Sequence, residues 1–152
     1  MNVLNNIWMA ISTQNEELVQ IACIFLLFIE APLSFALIDT TLKLSCNKKQ
    51  KYIYIFSIAV VAILSTLVVP WPYSVVFSYA AAFIVLYFIM KIGFIKSSIA
   101  TLFPSITFNL VGNLLLNPYL SLLNITYEQA TTIFIYRIPF VLINYLIIFI
   151  LV

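Results

Sequence analysis

From Tyr52 to Val69 the chain reads YIYIFSIAVVAILSTLVV, 18 residues without a charge and crowded with branched and aromatic side chains. As a helix this run rises about 27 Å at 1.5 Å per residue, close to the roughly 30 Å hydrocarbon thickness of a bilayer. Four more runs read the same way: Leu18 to Leu42, Ser74 to Met90, Ser97 to Leu116, and Thr131 to Val152. Between them stand a lysine cluster from Lys43 to Lys51, the turn-forming Pro70-Trp71-Pro72-Tyr73, Lys91 to Lys96, and a longer stretch from Asn117 to Ala130. The sequence therefore predicts an all-α integral membrane protein of five transmembrane helices, organised as one domain over residues 1–152.

Composition agrees. Of 152 residues, 64% are apolar and 8% charged, whereas a water-soluble domain carries about 25% charged residues. A soluble enzyme, a disordered tail, a nucleic-acid binder and a disulfide scaffold are all excluded by those figures. The chain has no histidine, which removes the commonest general base and metal ligand. Two glycines, Gly93 and Gly112, are too few for a phosphate-cradling loop or a GxxxG helix-pairing motif. Neither catalytic residues, metal ligands nor a cofactor site can be assembled, and the expectation is that the chain is not an enzyme. Cys23 and Cys46 fall near opposite faces of the expected bundle and read as unbridged.

The first 17 residues differ in kind. Val3, Leu4, Ile7, Trp8 and Ile11 recur at helical spacing among asparagines, the pattern of a short amphipathic helix lying in the interface with Trp8 at headgroup depth. Thr13 and Glu16 fit a capping box for the first span, with Glu16 and Glu17 favourable at its positive N-terminal end.

Orientation follows from the basic residues, since Lys and Arg in short loops stay cytoplasmic. Lys43, Lys48, Lys49 and Lys51 occupy one loop and Lys91 and Lys96 another, while residues 1–17, 70–73 and 117–130 have none. Alternate loops are thus basic, which places the N-terminus outside and the C-terminus inside. The fifth span then ends inward at Val152 on an apolar run without Lys or Arg, and the expectation is a membrane module that precedes a cytoplasmic region.

Polar groups within the spans are the candidate functional residues, because an ionisable group in lipid is costly. Glu30 lies about 18 Å into span 1, with Pro32 two residues on to kink the helix. It reads either as a helix-packing group or as a ligand-sensing or proton-coupled one. Arg137 stands roughly 9 Å into span 5. The 15 Leu, Ile, Phe and Val residues of that span supply near −6 kcal/mol of insertion free energy, more than the about 2.5–3.5 kcal/mol one central arginine costs. Its alternatives are to snorkel outward, to pair with Glu30, or to bind an anionic group of a ligand. Asp39, near the inner end of span 1, is expected to meet the lysine loop.

Span 4 carries Ser98, Thr101, Ser105, Asn109, Gly112 and Asn113 at three- and four-residue steps, a small polar stripe on one helix face. It reads as a packing seam, or as a ligand pocket lined by Asn109 and Asn113. The segment from Asn117 to Ala130 places Tyr119 and Tyr127 as an aromatic lid, and its Asn124-Ile125-Thr126 triplet matches a glycosylation acceptor.

The runs Glu30-Ala31-Pro32-Leu33-Ser34-Phe35, Thr101 to Gly112, Asn117-Pro118-Tyr119-Leu120 and Asn124 to Gln129 resemble the N-terminal membrane sensor domain of GHKL-type sensor histidine kinases of clostridia and bacilli. These are distant relatives of Agr-type peptide-pheromone receptors. The resemblance implies a signal-transduction module of a two-component system in the bacterial plasma membrane, relaying an external peptide or small-molecule signal through helix 5, with a homodimeric parent. The phosphoacceptor histidine and ATP-binding region of that family are absent from these residues, and no functional residue is carried over. A different class of protein fits the same pattern: a transporter or channel subunit in which Glu30 and the span 4 stripe line a pathway.

Overall fold

The computed structural model describes residues 3–44, 46–69 and 73–152, with side chains from Asn5 onward. Among them every regular element is helical: α1 Val3–Ser12, α2 Glu16–Leu42, α3 Lys48–Val68, α4 Tyr73–Ile84 continued by a π-helical turn Val85–Ile89, α5 Phe94–Leu123, α6 Tyr127–Thr132 and α7 Phe134–Leu151. Four of these are long and apolar enough to cross a membrane: α2 of 27 residues, α3 of 21, α5 of 30 and α7 of 18. Bulky apolar side chains cover their outer surfaces, Phe25, Phe56, Leu114 and Ile150 each exposed by more than 65%, as expected where lipid replaces water. The expectation of five spans is met only in part, because α4 and its π turn make a shorter apolar helix. The Pro70-Trp71-Pro72 break lies outside the described residues.

Local signals account for the boundaries. Asn15 caps α2, its Oδ1 accepting from the Leu18 amide at 3.0 Å, while the Thr13 hydroxyl donates back to the Met9 carbonyl at 2.7 Å. The cap thus sits two residues later than the Thr13–Glu16 pairing suggests, with Glu16 and Glu17 still in the first turn. Asn47 opens α3 by a capping box with Gln50. Thr126 opens α6 by another with Gln129, so the triplet read as a glycosylation acceptor holds a helix cap. Pro118 does not end span 4: α5 runs through it to Leu123, and most of the stretch read as a loop is helical. Asn124 then takes a left-handed backbone, φ 52°, a conformation that asparagine tolerates at a helix end.

The chain divides into two compact units, one of Leu27–Thr107 and one of the residues up to Leu26 with Phe108–Leu151. In the first, Phe35 and Ile38 of α2, Tyr54 of α3, Val85 and Leu86 of the π turn, Met90 and Ala100 of α5 form the core. The Phe35 and Tyr54 rings lie 5.3 Å apart. Asp39 meets Lys51 at 2.5 Å, as the sequence suggests, and the ammonium also sits 5.5 Å from the centre of the Phe35 ring. Burial and the Asp39 charge push the nearby Cys46 thiol up, partly offset by Lys51. Both cysteines are free.

In the second unit the apolar run expected as span 5 breaks at Ile133. Thr131, Thr132, Ile133 and Ile135 are β-branched and poor helix formers, and Ile133 is extended (φ −99°, ψ 122°) and buried. Its extended backbone bridges Gln14, and the Asn15 amide donates to the Thr132 carbonyl at 3.3 Å. The Ile133 carbonyl then accepts from Arg137 at 2.9 Å to open α7, which continues through Pro139. The α1 helix packs against α7, leaving Ile7, Trp8 and Met9 exposed.

Candidate functional site

Within this second unit, α5, α6 and α7 line an open cavity of about 240 Å³. From α5 come Phe108, Asn109, Gly112, Asn113 and Leu116, residues that recur at helical steps and so project to one side. Tyr127, Ala130 and Thr131 of α6 close a second wall, and Arg137, Phe140, Val141 and Asn144 of α7 a third. Buried apolar groups form its floor, with Phe108, Ala130 and Phe140 each exposed by less than 10%.

Four residues that the sequence singles out therefore meet here: Asn109, Asn113, Tyr127 and Arg137. The polar stripe of span 4 is divided. Its second half lines this cavity, while within the Leu27–Thr107 unit Ser98 and Thr101 donate to carbonyls of their own helix and Ser105 shares a hydrogen bond with the Tyr79 hydroxyl of α4. Tyr119 is not among the lining residues. Its hydroxyl donates to the Tyr136 carbonyl at 2.6 Å and its ring packs on Phe140 at 5.1 Å, so it braces α7 in the turn before Pro139. Glu30 lies half-buried in α2, in the Leu27–Thr107 unit, and is not a lining residue.

The donors of the cavity are unequally occupied. Thr131 spends its hydroxyl on the Tyr127 and Glu128 carbonyls. Asn144 donates through Nδ2 to the Phe108 carbonyl at 3.2 Å, which also fixes which amide atom is oxygen. Its Oδ1 is buried without a hydrogen-bond partner. The Lys51–Asp39 ion pair lies in the Leu27–Thr107 unit, and no acidic residue is among those that line this cavity with Arg137. Arg137 is the one cation of its unit, every lysine lying between Lys43 and Lys96. It stands four residues into α7, so that its charge adds to the positive end of the helix dipole. With α7 starting at Phe134, its depth from the helix start is only about 4.5 Å at 1.5 Å per residue, half the depth read from the sequence.

Gly112 gives Asn144 its room: a Cβ there would stand 3.2 Å from Asn144 Nδ2, and the amide would have to give by a few tenths of an ångström. Asn144 is the residue that sequence reasoning missed. The signal was present, because it follows Arg137 by seven positions and so shares its helix face. Among the described residues no group of His, Cys, Asp and Glu is placed to hold a metal. No family model matches the chain, and neither the curated proteins nor the solved structures compared with it gave a match.

Proposed function

We propose that this chain is a multi-pass sensing module of a bacterial plasma membrane, and that the cavity of α5, α6 and α7 takes the anionic group of an external ligand. The observation that carries the reading is Arg137, a cation lining a cavity that has no acidic residue in its walls and counts Asn113 and the Tyr127 phenol among its polar lining. A guanidinium in such surroundings is matched by a carboxylate or phosphate, which it can grip with two parallel hydrogen bonds. At about 240 Å³ the cavity falls below the usual 300–1,000 Å³ of sites for drug-sized ligands. It suits an acidic side chain, a chain terminus or a small organic anion, not a whole peptide.

Signalling follows as a population shift. A ligand that binds one packing of α6 and α7 better than another moves the equilibrium by its difference in affinity. The break at Ile133 and the Pro139 turn are where α7 would respond. In the full reading the chain crosses the membrane five times with its N-terminus outside, α4 and the π turn serving as the short span, and α7 passes the signal inward. The resemblance to GHKL-type sensor kinases suggests a kinase, acting as a dimer, as the receiver of that signal.

The test is thermal unfolding of the purified chain with acetate, phosphate or N-acetylglycine, compared with neutral N-acetylglycinamide. The proposal expects stabilisation by at least one anion and none by the amide, with the effect lost in Arg137→Gln. Anion-dependent stabilisation of Arg137→Gln equal to that of the wild type would sink it. Flux of the same anions through liposomes holding only this chain would favour the transporter reading instead.

A further inference from the structure

The Leu27–Thr107 unit gathers its lysines at one end. The α2 C-terminus, the α3 N-terminus, the end of the π turn and the start of α5 converge there, because Leu42, Leu44, Cys46, Met90 and Ile92 pack on one core cluster. Lys43, Lys48, Lys49, Lys91 and Lys96 flank those residues and are all exposed. Asp39, the acid at this end, is already paired with Lys51. The result is a surface of five uncompensated positive charges. Beside it stand exposed Tyr52, Phe94 and Ile95, each more than 60% accessible, the mixture of apolar and cationic groups that settles at a membrane interface.

In one respect each, local structure opposes a lysine at these positions. Lys43 and Lys91 have φ of 47° and 56°, left-handed conformations at helix ends where glycine or asparagine is the low-strain residue. The contrast is internal, since the equivalent position after α5 holds Asn124. The helix dipole does favour a cation at those two C-terminal ends, but it opposes one at an N-terminus. Lys48 and Lys49 open α3, and Lys96 is the third residue of α5, with no acidic residue in either first turn. Local structure does not select five lysines here, so their charge answers to something outside the chain.

We propose that this lysine end is a docking surface for anionic phospholipid headgroups, which it holds in preference to zwitterionic ones. Lysines close to an anionic surface are attracted to it, and the attraction falls off within a Debye length. Bound headgroups would fix the ends of α2, α3 and α5 against the leaflet.

The experiment places the full chain in phosphatidylcholine bilayers with spin-labelled phosphatidylglycerol or spin-labelled phosphatidylcholine, and reads relative association from the immobilised fraction of the spectrum. A several-fold preference for phosphatidylglycerol is expected, falling toward parity in 1 M salt. It should fall likewise in the variant K43G/K48Q/K49Q/K91G/K96Q and survive when the same five residues become arginine. If the fivefold variant does not fold, K43G/K91G decides alone: glycine eases both backbones, so a folded chain with a reduced lipid preference is expected. Parity in the wild type would overturn the proposal and leave the lysines a role only in orienting insertion. An undiminished preference in K43G/K91G and the fivefold variant would overturn it as well.

Discussion

The Leu27–Thr107 unit holds all six lysines and spends them at its surface, while the unit completed by Phe108–Leu151 holds one cation and lines a cavity with it. The first has a tight apolar core around Ile38 and Leu86, both fully buried, and neutralises Asp39 with Lys51. The second sets Arg137 in a cavity with no acidic lining residue and buries an unpartnered amide oxygen at Asn144. An unsatisfied buried polar atom costs about 1–3 kcal/mol. Such a cost persists most readily where function asks for it. Low charge content thus does not make a membrane chain uniform: one unit pairs Asp39 with a lysine, and the other sets a cation and an amide oxygen at a cavity.

Substitutions test that contrast. The largest effect should come from Ile38→Ala, which empties a fully buried site in the lysine-bearing unit and should cost about 2–5 kcal/mol. Reversible unfolding in detergent measures it, and anion-dependent stabilisation at the cavity should survive. Next comes Gly112→Val, whose Cβ would meet Asn144 Nδ2 at 3.2 Å. Overpacking there should cost about 1–3 kcal/mol and abolish the response to carboxylates. Gly93→Ala, with nothing within 4 Å of the added Cβ, is the control that should leave that response intact.

Asn144→Leu should change stability by less than about 1 kcal/mol, because it loses one hydrogen bond to Phe108 but also removes the orphaned oxygen. A loss above about 2 kcal/mol would mean that the oxygen is satisfied in the membrane. The smallest effect belongs to Asp39→Asn. Its partner Lys51 is 37% exposed, so breaking the pair should cost at most about 1 kcal/mol. The same change should speed alkylation of Cys46 near neutral pH, because the Asp39 charge helps hold that thiol protonated and its loss lowers the pKa. An unchanged alkylation rate would show that burial alone sets the thiol.

Much of this was legible in the sequence, because the bilayer leaves few choices. Runs such as Tyr52 to Val69 must be helical so that each backbone group is bonded within the segment, and an ion pair between Asp39 and the lysine loop follows from an acid near the end of α2. Asn109, Asn113, Tyr127 and Arg137 could be nominated for one site because polar groups are conspicuous against an apolar background. What escaped depended on tertiary context. Pro118 looked like a break, yet α5 passes through it. Ile133 looked like any other apolar residue of a span, yet it is extended and bridged to Gln14. Asn144 was overlooked because a lone amide seven positions from an arginine stands out only after the helix is laid out as a wheel. Thr126 served a helix cap, and three residues of local pattern could not distinguish that from an acceptor triplet.

Arg137 is the chain's one arginine, so protein labelled with ¹⁵N-arginine gives a single guanidinium Nε signal. Titration with N-acetylglycine should shift that signal and slow its proton exchange, as a bound carboxylate would, while N-acetylglycinamide leaves it unmoved. A signal that ignores the carboxylate, or that responds equally to the amide, would contradict the assignment of this cavity as an anion site.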